Sequence, residues 1–252
     1  DAYPYTAGST QLIHVLPPEF QAGGTEMLAK RLRDRCARGE MRARMETGSD
    51  FENITLLAGF ENVVAIGLRT DEYRRFEGKS IAEIARSLGK DPFDALFDLL
   101  AAEDCEAGMI DFISDEQDLR DILRAPFSGV ISDATYPGAG QVHPRVYGAF
   151  ARLIEKYVVQ EKLLTLEQAV HKVTLQASER FSLAGKGKIE VGADADLLLF
   201  DPENIREKGT YLAPGVCATG FDEVFVRGGR VIENGEYRGG RNGEMLGLRA
   251  GF

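Results

Sequence analysis

Three residues in one short stretch are of types that do chemistry. The segment SGVISDATYPGAGQVHPRVYGAF (128–150) sets a carboxylate, Asp133, just after the apolar pair Val130-Ile131, and brings His143 and Arg145 back ten and twelve residues later. A carboxylate there has two readings. It closes a turn or caps the next helix, as aspartates at strand ends do. Alternatively it is a metal ligand and general base, taking a proton from an activated water and handing it to a departing amine. His143 is either a loop histidine with both ring nitrogens satisfied or part of a binding pocket. Arg145 either pairs with a surface acid or clamps a substrate carboxylate, which its planar donor fork suits.

The rest of the chain narrows the chemistry. The other two histidines, His14 and His171, stand alone, so no HxH or HExxH metal pair is present. His14 lies among Leu12, Ile13 and Val15, and His171 lies mid-helix beside Lys172; packing or surface roles fit both. Cys36, Cys105 and Cys217 are far apart and odd in number, with no CxxC spacing. That pattern suggests neither a zinc knuckle nor a disulfide framework, and points to a reducing, cytoplasmic setting. Nucleophile-elbow, Walker and dinucleotide fingerprints are missing. A formal charge of -10, from 30 basic and 40 acidic residues, argues against nucleic acid or an anionic membrane as partner. No apolar run approaches the roughly 20 residues that span a bilayer. The start, DAYPYTAGSTQ, has neither an initiator methionine nor a signal-peptide core.

These groups need elements to position them. A helical composition runs from Gly23 to Gly48, with Thr25 as the expected N-cap. NITLLAG and NVVAIGL read as short β-branched strands. GKSIAEIARSLG and DPFDALFDLLAAE read as helices capped by Ser80 and Asp91, with Pro92 in a first turn. Strand and helix patterns then alternate: GMIDFIS (108–114), DEQDLRDILR, SGVIS, and a long helix through PRVYGAFARLIEKYVVQ. Helical patterning continues through LTLEQAVHKVTLQASERF, with Thr165 as N-cap and Glu167 in the first turn. Such alternation predicts a parallel sheet covered by helices, with functional groups at the C-terminal strand ends. After Gly185 the texture turns to β runs between glycines, with a hairpin read from Val224-Phe225-Val226, then Gly228-Gly229, then Val231-Ile232.

DAYPYTAGST, FEGKSIAEIARSLGKDPFDALFDLL, ISDAT with HPRVYGAFARLIEKYV, and LTLEQAVHKVTLQASERFSLAGKGKIEVGADADLLLFDP together resemble the C-terminal half of the N-acyl-D-amino-acid deacylases (D-aminoacylases) of the metal-dependent amidohydrolase superfamily. The resemblance implies an α/β fold: the C-terminal part of a (β/α)8 TIM-like barrel over 1–185, with a helical insertion at about 11–50, and strands of a small β-sandwich or barrel over 186–252. It implies that Asp133 touches zinc (one or two ions in the complete enzyme) and shuttles the proton. Arg145 would hold the α-carboxylate of an N-acyl amino acid, and His143 would belong to the substrate pocket. The loop Ala134–Val142 would span from the reacting end of the substrate to its anionic end. Where the family has glycine after the aspartate, this chain has Ala134, which places a Cβ at a tight turn.

On this resemblance the remaining metal ligands lie upstream of Asp1, and the chain alone is expected to be incomplete and inactive. Half a barrel exposes sheet edges and an apolar interior, so the missing N-terminal half or self-association is expected to cover them. Two alternatives stay open: a cyclic-amide hydrolase of the hydantoinase or dihydroorotase kind, and a non-catalytic half-barrel acting as an assembly domain.

Overall fold

Residues 1–135 and 140–246 are described by the computed structural model. Strands β1 (Gly8–Gln11), β2 (Val63–Ile66) and β3 (Gly108–Asp111) form one sheet in the order β1-β3-β2. Both pairings are antiparallel, with Gly8 and Val63 opposite Asp111 on the two sides of β3. A second antiparallel sheet joins β4 (Leu197–Phe200), β5 (Phe221–Val226), β6 (Gly229–Glu233) and β7 (Glu236–Tyr237) in sequence order.

This corrects the barrel expectation. A (β/α)8 barrel needs parallel strands closing on themselves, whereas the described residues form two open sheets of three and four strands without a parallel ladder. The expected sandwich or barrel in the second segment is likewise a single open meander. Two assigned strands fail for local reasons. NITLLAG is a short helix, because buried Asn53 accepts from the Leu56 amide and donates to the carbonyls of Met45 and Gly48. SGVIS contributes one isolated parallel bridge, Ala2 with Val130.

The helices follow their caps. Between β1 and β2 lie α1 (Pro18–Gln21), α2 (Gly24–Arg33), α3 (Arg35–Thr47) and α4 (Ile54–Ala58). The single helix expected over 23–48 is broken at Asp34, which turns the chain and accepts from the Ala37 amide to start α3. Gly23, not Thr25, occupies the N-cap of α2. A capping box of Ser80 and Glu83 starts α5 (Ile81–Leu88), and Asp91 with Pro92 starts α6 (Pro92–Ala102). Asp115 caps α7 (Glu116–Arg124). The long helix is α8 (Arg145–Arg152) continued by a π-helical stretch, Leu153–Gln160. Thr165 and Gln168 box the start of α9 (Leu166–Val173), which leads into α10 (Leu175–Arg180).

Two apolar cores result. Leu28, Leu32, Met41, Met45, Ile84 and Leu96 pack α2, α3, α5 and α6 together beside the first sheet. Leu119, Leu123, Leu153, Ile154, Tyr157 and Ala169 join α7, the π-helical stretch and α9. In the second sheet the expected hairpin forms, but its turn lies one residue earlier than Gly228-Gly229: Arg227 (φ 51°) and Gly228 (φ 77°) make it, and Gly229 pairs with Val226 in the ladder. No helix among the described residues is long and apolar enough to cross a membrane.

Candidate active site

The site is assembled on the first turn of α8 and the N-terminal segment lying across it. His143, Pro144 and Arg145 form one device. The His143 Nδ1 accepts from the Arg145 amide at 2.9 Å, satisfying one of the free N–H groups that open a helix. Its Nε2 must then carry the proton and donate to the Ala7 carbonyl at 3.0 Å. The ring is only 2% exposed, edge-on to Tyr5 and Tyr211 at 5.0 and 5.2 Å. Burial, helped by the Arg145 charge, lowers its pKa to about 3, so it is neutral at physiological pH.

Arg145 and Arg152 are seven residues apart, two helical turns, and so share a face of α8. Tyr3 and Tyr5, two residues apart on the extended N-terminal segment, cover them. The guanidinium of Arg145 lies 4.5 Å from the Tyr3 ring centre, and that of Arg152 lies 4.8 Å from Tyr5. Tyr5 donates to Glu207 at 2.6 Å, and Glu207 pairs with Arg152 at 2.8 Å. Burial, then Glu207, push the Tyr5 hydroxyl well above its ordinary pKa, so it stays a donor. Gly148 permits this approach, since a Cβ there would lie 2.9 Å from the Tyr5 hydroxyl.

Arg145 is 2% exposed, yet it lines a cleft of about 470 Å³ shared with Tyr3, Ser9, Asp111, Asp133 and Glu52. Its Nη2 donates to the Ser9 carbonyl at 3.1 Å and pairs with the Asp133 Oδ2 at 2.9 Å. The buried Nε has no hydrogen-bond partner among the described residues. Asp133, 48% exposed by side chain, sits at φ 48°. The tight turn associated with Ala134 is therefore taken by the aspartate itself, a residue that tolerates the left-handed region better than most. Of the loop Ala134–Val142, residues 136–139 lie outside the described residues.

The structure thus brings Asp133 and Arg145 together and places His143 behind them as a buried support. His14 lines the same cleft on its exposed rim, while His171 lies on α9. Sequence reasoning missed Tyr3 and Asp111. Asp111 ends β3, is 3% exposed, and accepts from the Gly8 amide at 3.0 Å. Burial pushes its carboxyl above the usual carboxylate range; Gly8 opposes this and nearby Glu52 adds to it. The signal available was an acid closing an apolar β run in GMID, the same pattern that drew attention to Asp133.

The zinc expectation is corrected by the donor set. Among the described residues no three or more His, Cys, Asp or Glu side chains converge as metal ligands. Asp133, the proposed ligand, is instead engaged by a buried guanidinium. What the cleft offers is a cationic fork able to take a carboxylate and a half-exposed carboxylate able to take a proton.

Comparison with known proteins gives this arrangement its relatives. The chain is 38% identical over 151 residues to N-acyl-D-glutamate deacylase of Alcaligenes xylosoxydans xylosoxydans, covering 60% of this chain and 30% of that one. Its fold is similar to a D-aminoacylase mutant in complex with CuCl2 (TM-score 0.73, 30% identity, 98% of this chain and 42% of that one). It is also similar to N-acyl-D-glutamate deacylase of Bordetella bronchiseptica complexed with zinc and a phosphonate inhibitor (TM-score 0.67, 28% identity, 92% and 39%). The chain spans about a third of the length of the curated relatives it matches. Residues 17–227 match the amidohydrolase family, and with most of its length so matched, this chain belongs to that family.

Proposed function

We propose that the protein carrying this chain hydrolyses the amide bond of N-acyl-D-amino acids, with Arg145 as the carboxylate site and Asp133 as the proton carrier. The observation that carries this reading is the buried Arg145 fork with a carboxylate already on its Nη2. A substrate α-carboxylate would take the place that Asp133 occupies. Binding would then free Asp133 beside the substrate, where it accepts a proton from the attacking water. As the C–N bond breaks, the same proton passes to the leaving nitrogen and Asp133 returns to its ionised form. His143 would anchor the Arg145 backbone amide and Tyr3 would hold the guanidinium, neither touching the reacting atoms. The deacylases to which the chain is similar support the substrate class.

The test compares kcat and KM of the full-length protein on an N-acetyl-D-amino acid and on its primary amide, for the natural chain and two variants. Asp133→Asn is expected to lower kcat by about 10²- to 10⁴-fold. Arg145→Lys is expected chiefly to raise KM for the acid. Near-normal kcat in Asp133→Asn removes Asp133 from the reaction; equal kcat/KM on acid and amide removes Arg145 from recognition.

A further inference from the structure

The cleft holds more negative charge than a carboxylate site requires. Asp111 lies at its wall and Glu52 at its rim, and both face the space into which Arg145 opens. The one cation acting on Asp111, Arg145, is ion-paired to Asp133 instead. Arg145 in turn keeps a buried Nε without a partner among the described residues, which asks for an acceptor from a ligand. Apolar side chains share the lining: Leu16, Phe51 and Ile54 border the same space. A volume of about 470 Å³ is in the range of small-molecule sites.

Charge balance then restricts the ligand. Once a substrate carboxylate sits on Arg145, the cleft holds that group, Asp133, Asp111 and Glu52 against a single guanidinium. A second anion on the substrate would worsen this, and a cation would relieve it. Building on the reading of Arg145 as a carboxylate site, we propose that the cleft selects N-acyl-D-amino acids with a cationic side chain of the lysine or ornithine kind. Asp111 and Glu52 receive the ammonium, while Leu16, Phe51 and Ile54 flank the aliphatic stem. Burial, with Glu52 adding to it, raises the pKa of Asp111, and a cationic ligand beside the two carboxyls would offset both effects.

The test is calorimetric titration of the protein with Nα-acetyl-D-lysine, with Nα-acetyl-D-norleucine, which keeps the stem and drops the ammonium, and with Nα-acetyl-D-norleucine amide. The expected result is a preference for the lysine derivative of about tenfold over norleucine. That ratio should fall toward one in Asp111→Asn, whose amide oxygen still accepts from Gly8. It should fall likewise in Glu52→Gln, an exposed position whose change leaves folding aside. Equal affinity for lysine and norleucine, or a ratio unmoved in both variants, overturns the proposal. In that case norleucine binding lost on amidation leaves the carboxylate reading standing. Equal binding of norleucine and its amide, or no binding by any of the three, overturns both.

Discussion

At the scale of single residues, His143 carries a pH prediction. Its folded pKa, near 3, lies below the ordinary value of 6.5. Between those values the unfolded chain binds a proton that the folded chain refuses. Stability from this group is therefore complete above pH 6.5 and is lost as pH falls toward 3. The slope approaches about 1.4 kcal/mol per pH unit in that window. Urea unfolding at pH 7.5 and 5.0 should show the natural chain losing more stability than His143→Gln, which has no titrating ring. Asp111, whose raised pKa acts in the opposite direction, contributes equally to both proteins and cancels. Parallel losses in the two would show that the ring is not held neutral. Their direct pairing aside, Asp133 and Arg145 were legible as candidates from residue type and from lying twelve residues apart on one loop. Tyr3 and Asp111 were not, since each reaches the site from more than a hundred residues away or from a separate strand.

At the scale of elements, local polar groups decided more than β propensity did. NITLLAG has the composition of a strand, yet Asn53 ties the end of α3 to the start of α4 through two carbonyls and an amide. Asn53→Ala removes the cap and leaves the buried Met45 and Gly48 carbonyls without their donor. The expected cost is about 2 kcal/mol, read as a lower denaturant midpoint at unchanged slope. A change under half that size would make the asparagine a bystander. The caps at Ser80, Asp91 and Thr165 were readable because a capping signal needs only neighbours in sequence. The break at Asp34 was readable in kind, an aspartate before a helical run, but charged residues of high helix propensity on both sides concealed it.

At the scale of the whole molecule, the first strand of the second sheet is an open edge. Among the described residues β4 pairs only with β5, and Leu197, Leu198 and Leu199 along it are exposed. An apolar unpaired edge favours association. Sedimentation velocity should show mass rising with concentration, and Leu198→Lys should suppress the rise; a strictly monomeric natural chain would contradict this. By itself, the sequence determined the helix starts at Ser80, Asp91 and Thr165, the presence of a hairpin after Val226, the acidic balance and the Asp133–Arg145 motif. All of these depend on neighbours or on totals. Only the tertiary structure decided which way strands pair, that the sheets stay open, and that His143 faces inward to hold Arg145. It alone set Asp111 in the same cleft and, among the described residues, left Asp133 without companion ligands. Strand direction and convergence of side chains are long-range properties: short apolar runs pair equally well in either sense until the rest of the chain fixes which edge they meet.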